Sequence, residues 1–119
     1  MVSKNSTIDA RAELQTLLEQ CVVDINGELL TDNRVHYMAG DSAKLDYPCI
    51  LYSRRYADQK QANNSNYSTM IAYSVTVITR DGENTIPKNI LDLLPTSRWQ
   101  NDFTADGLYH SVFLIYHRV

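Results

Sequence analysis

The side chains that could hold a metal ion are three histidines and two cysteines. They are His36, His110, His117, Cys21 and Cys49. Zinc sites commonly place two ligands within a few residues of each other, as in C-x-x-C or H-E-x-x-H, and no such spacing occurs here. His110 and His117 lie an odd number of residues apart on one predicted strand, so their side chains would point to opposite faces. The sequence therefore predicts no metal site, and the histidines are interpreted as structural or surface residues.

Nucleophilic catalysis requires a serine or cysteine beside a base, and the sequence shows no motif for that arrangement. No G-x-S-x-G motif is present, and Cys49 falls in a strand pattern, where a lowered thiol pKa is not expected. The four glycines are isolated from one another, so no phosphate-binding loop is predicted. Cys21 and Cys49 both occupy apolar patterns and are predicted to be buried free thiols. We therefore expect a protein that is not an enzyme and that has no cofactor.

A pair of arginines flanked by tyrosines is the strongest candidate for a binding site. Arg54 and Arg55 lie between Tyr52 and Tyr56. Such a set could contact nucleic acid through phosphate charge and base stacking. Alternatively, the arginines could remain solvated or pair with carboxylates of a neighbouring subunit. The net charge of −3 disfavours broad nucleic-acid binding, because that activity requires a basic surface.

The stretch from Thr69 to Pro95 predicts the elements around which the fold is organised. Apolar, β-branched and aromatic residues alternate along its first part, which is typical of a strand. Asp81 and Gly82 predict a tight turn. Thr85 is the predicted N-cap of a short helix, which ends at Pro95.

The whole chain, residues 1–119, is predicted to form one α+β domain. The expected architecture is a mostly antiparallel four-stranded sheet, with an N-terminal helix and a second short helix packed on it. The predicted helices cover about residues 7–22 and 86–94, and the predicted strands about residues 34–38, 48–54, 69–80 and 108–117. The segment TSRWQNDF, which follows the second helix, is placed in no strand, and Asp106 and Gly107 predict a turn before the last strand. Residues 1–5 are expected to be loose.

Residues 54–68 are interpreted as a long polar loop, because Asn, Gln and Ser dominate them. One interpretation is a hairpin-like extension that becomes ordered on binding, and the other is a variable solvated loop. No apolar run approaches the length of a membrane helix and the first residues contain no apolar signal core, so synthesis in the cytoplasm and no membrane contact are expected. Eight tyrosines against two phenylalanines favour assembly, since tyrosine suits half-buried interfaces.

The order of elements resembles the tail-terminator (tail completion) proteins of long-tailed bacteriophages. The resemblance covers about residues 8–117, and the stretches that carry it are Pro48 to Tyr52, Tyr73 to Asp81 and Asp106 to Tyr116. It implies a structural virion protein of the tail or neck, made in the host cytoplasm, with no enzyme activity and no cofactor. Its implied form is a homo-hexameric ring that caps the tail tube and joins it to the head connector, so its partners would be further copies of itself, the tail tube protein and head-tail connector proteins.

The resemblance supplies no short functional motif, so the contact residues are a hypothesis from the sequence. We hypothesise that Arg54, Arg55, Tyr56 and Tyr67 contact neighbouring subunits or the tail tube. A net negative ring would let DNA pass through its lumen without binding tightly. The alternatives are another head-tail neck or adaptor protein and, from a different class, a small nucleic-acid-binding protein.

Overall fold

A computed structural model describes residues 6–40, 44–58 and 70–118 of the chain. It contains two helices and five strands in the order α1 (Ser6–Glu19), β1 (Val35–Tyr37), β2 (Cys49–Asp58), β3 (Met70–Thr79), α2 (Ile86–Leu93), β4 (Ser97–Ala105) and β5 (Leu108–Arg118). The predicted loose residues 1–5 lie outside the described part of the chain.

The strands form one mixed sheet in the order β1-β2-β3-β5-β4. β1 pairs with β2 in parallel, and the other three pairs are antiparallel. The predicted α+β class is therefore confirmed, whereas the predicted number of four strands is wrong. The additional strand is β4, which includes most of the segment that the sequence analysis placed in no strand.

β4 forms through backbone pairing with β5 rather than through burial of its own side chains. The two strands are joined by a two-residue turn in which Asp106 and Gly107 have φ angles of 56° and 75°, the left-handed values typical of tight hairpin turns. Seven of the nine β4 side chains are exposed. A strand that is exposed on both faces shows no alternation of apolar and polar residues, which is why its pattern was missed.

β2 is longer than predicted and extends into the predicted polar loop. Tyr56, Ala57 and Asp58 pair with β3 after a bulge at Arg55, so the prediction of a loop is wrong for residues 55–58, which follow the predicted end of the strand. These residues are ordered by hydrogen bonding to a neighbouring strand, a long-range contact that local composition does not reveal. The rest of the predicted loop, residues 59–69, lies outside the described residues.

The two helices cover one face of the sheet, and the core lies between the helices and the sheet. Leu14 and Leu18 of α1 and Ile86 and Ile90 of α2 are fully buried. The core contains Leu14, Leu18, Cys21, Val22, Val23, Val35, Ile50, Tyr52, Ile71, Tyr73, Val75, Val77, Ile86, Ile90, Leu94, Phe113 and Ile115. The alternate residues of β3 that the sequence placed on one face, from Ile71 to Val77, all belong to this core.

The C-terminal end of α1 and the hydrogen bonding at the N-terminal end of α2 differ from the prediction. α1 ends at Glu19 rather than near residue 22, although Cys21 and Val22 still pack into the core. Thr85 is the N-cap residue of α2, as predicted, but its side chain makes no capping hydrogen bond. Instead, the Oδ1 of Asn84, one residue earlier, accepts a hydrogen bond from the Ile86 N–H at 2.7 Å.

Candidate assembly surfaces

The four residues of the predicted contact surface are described to different extents. Arg54 and Arg55 are exposed on β2. Tyr56 lies opposite Ala72 in the register, next to the bulge. Tyr67 lies outside the described residues. The structure therefore places three of the four residues together at one end of β2, and their role in binding remains a prediction.

Only the first half of β2 has a described partner on the side that faces away from β3. β1 covers it from Ile50 to Tyr52, and the Met38 N–H donates one further hydrogen bond to the Tyr52 carbonyl at 2.8 Å. Among the described residues, no strand continues this pairing beyond that point. We call residues 54–58 the open β2 edge.

The opposite side of the sheet ends in β4, which has a longer open edge. β4 pairs with β5 on one side, and within the described part of the chain it is the last strand of the sheet. We call residues 97–105 the open β4 edge. An unpaired edge presents backbone N–H and C=O groups in the spacing that another strand needs, so it is a template for strand addition.

Two aromatic side chains flank the open β4 edge on opposite faces of the sheet. Trp99 stacks on Phe113, with ring centroids 5.4 Å apart, on the face covered by the helices. Phe103 stacks on His110 at 4.6 Å on the other face. The two rings remain 44% and 46% exposed. Half-exposed aromatic rings beside an open edge are typical of a protein interface.

The sequence contains one signal that predicts β4. The tight turn at Asp106 and Gly107 predicts a hairpin, and a hairpin needs a strand before its turn as well as after it. Reading backwards from the turn would have placed Phe103 and Trp99 on the partner strand of β5.

Three tyrosines, Tyr37, Tyr52 and Tyr73, pack against one another within the domain and not at an interface. The rings of Tyr37 and Tyr52 lie 5.0 Å apart, and those of Tyr52 and Tyr73 lie 6.0 Å apart. The Tyr52 hydroxyl donates to Gln15 Oε1 at 2.5 Å, and the Arg11 guanidinium lies 4.5 Å from the Tyr37 ring centroid. Burial raises the pKa of both Tyr52 and Tyr73. High tyrosine content is therefore not by itself a measure of interface area in this chain.

The cysteines are buried and the histidines are separated. Cys21 and Cys49 are buried free thiols, as predicted, and burial raises the pKa of each to about 11. His110 and His117 lie on opposite faces of β5, and His117 Nε2 is 3.3 Å from Glu13 Oε1. In the described part of the chain, no three His, Cys, Asp or Glu side chains come close enough to hold a metal ion together.

The described helices are all too short or too polar to cross a membrane. No family model, curated protein or solved structure matches this chain.

Proposed function

We propose that this protein is a tail-terminator subunit, a structural virion protein that forms a homo-hexameric ring, caps the phage tail tube and joins it to the head connector. The observation that carries the proposal is the presence of two open sheet edges on opposite sides of one small domain. A ring of identical subunits requires two different surfaces that bind each other in a head-to-tail manner. The resemblance of Pro48 to Tyr52, Tyr73 to Asp81 and Asp106 to Tyr116 to this family gives the ring its proposed biological role.

The charge of the chain agrees with a ring through which DNA passes. The net charge is −3, and the exposed side chains include the carboxylates of Glu83 and Asp106. Phosphates are repelled by such a surface, so DNA would pass without the tight binding that a basic lumen would cause.

The direct test is binding to purified tail tubes. We expect the protein to co-sediment with tubes at a stoichiometry of one ring per tube end and to restore head-tail joining in a phage that lacks it. Preferential binding to DNA-filled heads would instead indicate another neck protein. Binding to free DNA that weakens steeply with salt would indicate the nucleic-acid-binding alternative.

The contact residues predicted from the sequence can be tested in the same assay. Replacing Arg54 and Arg55 together with Ala should leave the fold intact, since both side chains are exposed, and should impair tail joining. Wild-type tail joining by this double variant would exclude a role for the two arginines.

A further inference from the structure

We infer that neighbouring copies of this chain join edge to edge, with the open β4 edge of one copy adding to the open β2 edge of the next. This inference rests on the proposed function in one respect, namely that copies of the chain associate. It goes further by naming the two surfaces, the direction of the strands and the charges that select the pairing.

Strand directions within the sheet suit this pairing. β2, β3, β5 and β4 are successively antiparallel, so β4 runs in the direction opposite to β2. Rotation about a ring axis keeps the direction in which each strand runs along that axis, whether or not the strands are tilted. The β4 of one copy would therefore meet the β2 of the next as an antiparallel neighbour and continue the alternation of the sheet.

Bulges mark where each edge is available. The register of β4 shifts between Trp99 and Asn101, and the register of β2 shifts between Arg54 and Tyr56. The regular part of the β4 edge after its bulge is residues 101–105. On β2, β1 occupies the edge up to Tyr52, which leaves residues 54–58 as the counterpart of similar length.

The two stretches lie at different heights along the sheet. Phe103, in the middle of the β4 stretch, pairs with His110 of β5, and His110 in turn pairs with Ile78 of β3. Tyr56, in the middle of the β2 stretch, pairs with Ala72 of β3. The offset from Ala72 to Ile78 is six residues over the four strands β2, β3, β5 and β4 of a copy. That is about 1.5 residues for each strand, so the strands would tilt more steeply than the roughly 36° of an eight-stranded barrel with shear 8. An offset of this size is thus compatible with a ring of tilted strands.

Charge selects which edges meet. Asp102 is exposed on β4 opposite Ser111, on the face of the sheet that the helices cover. Arg54 is exposed on β2 opposite Tyr73, on the same face. Joining β4 to β2 brings this carboxylate and this guanidinium to the same side of the joint. Joining β4 to β4 would oppose two carboxylates and joining β2 to β2 would oppose the Arg54 side chains of the two copies, so the head-to-tail arrangement is favoured over both.

An added strand would also cover the aromatic side chains of β4. Trp99 and Phe103 flank the edge on its two faces and are about half exposed. Cross-strand contacts to aromatic rings are a main source of stability between paired strands. The same residues leave apolar surface exposed in a single copy.

Reversing each charge separately tests the pairing. Arg54→Asp places two acidic groups across the joint, and Asp102→Arg places two basic groups there. We expect each variant alone to associate about tenfold or more weakly than the wild type. An equimolar mixture of the two should assemble, because in an alternating ring every joint again contains one acidic and one basic group. Mass by light scattering, measured for each variant and for the mixture, gives the answer.

Matched controls separate a lost contact from a lost fold. Asp92→Lys makes a comparable change of charge on the exposed surface of α2 and should assemble as the wild type does. Asp102→Asn keeps an oxygen that can accept from Trp99 Nε1–H, which donates to Asp102 Oδ1 at 2.6 Å, and should weaken association less than Asp102→Arg. Circular dichroism should show the same fold for all variants.

Each outcome has a distinct meaning. Assembly by the mixture but by neither variant alone supports the edge pairing. Wild-type assembly by both single variants, or a mixture that fails although the wild type assembles, overturns the pairing while leaving the proposed ring in place. A wild-type protein that never associates, even with tail tubes, contradicts both the pairing and the proposed function.

Discussion

Two groups of aromatic side chains lie on the same sheet and differ in what covers them. The inner group, Tyr52, Tyr73 and Phe113, lies beneath the helices and is at most 2% exposed. The edge group, Trp99 and Phe103, lies on the last strand and is about half exposed. The residue types are similar, so the difference comes from position alone. The inner rings contribute to the free energy of unfolding, and the edge rings are available to a second copy.

The largest expected effect is on stability, when one phenylalanine of each group is replaced by alanine. Phe113→Ala should lower the free energy of unfolding by about 3–5 kcal/mol, because it leaves a cavity in the core and removes the ring beneath Trp99. Phe103→Ala should cost only about 1 kcal/mol, since half of that ring is already in water and its main loss is the stack on His110. Urea denaturation of both variants measures the difference. Equal losses would show that the β4 edge is part of the core.

The next effect concerns buried thiols of the inner region. Burial raises the pKa of Cys21 and Cys49 from an unfolded value of 9.0 to about 11. Between pH 9 and 11 the unfolded chain therefore loses thiol protons that the folded chain keeps, so stability should fall as the pH rises. The loss should approach roughly 2 kcal/mol for each thiol.

Denaturation at a series of pH values checks this expectation. Tyr52 and Tyr73, whose pKa values burial also raises, should add a loss of the same sign at the upper end of the range. Cys21→Ala provides the control, because it removes one thiol and should flatten the profile between pH 9 and 11. A flat profile for the wild-type protein would mean that the thiols are accessible to water.

A smaller effect should appear in the fluorescence of the edge group. The chain has one tryptophan, Trp99, which is 44% exposed in a single copy. Association through the β4 edge should move its emission to shorter wavelength and reduce quenching by acrylamide as the protein concentration rises. Arg54→Asp should suppress the change without touching Trp99. A spectrum that stays constant while the mass increases would place the contact elsewhere.

The sequence predicted the parts of the fold that depend on local pattern. The alternation along β3, the turn at Asp81 and Gly82, and the short helix before Pro95 all reflect preferences of neighbouring residues. Pro87 lies in the first turn of α2, where the lack of an N–H carries no cost.

The parts that were missed depend on distant partners. β1 was predicted as a strand, but its parallel pairing with β2 was not, because the local pattern does not show strand direction. The polar residues Asn101 and Asp102 gave no strand pattern, although pairing with β5 holds them extended. Thr85 is the N-cap residue of α2, but the side-chain hydrogen bond at this helix start comes from Asn84, one residue earlier.

Arg54 and Arg55 were selected from the sequence by their charge, and the structure shows that both side chains are exposed. Their role in binding stays a prediction. The β4 edge, with Trp99 and Phe103, was missed because its significance comes from being the last strand of the sheet, which only the pairing of strands reveals.

Amide hydrogen exchange, measured with and without tail tubes and at low and high protein concentration, tests the central claim most directly. Outward-facing amides of residues 101–105 and 54–58 should exchange quickly in the single copy and become protected on association. Amides of β5, which is paired on both sides, should be protected throughout and change little. Protection that appears on association but spares both open edges would contradict the account.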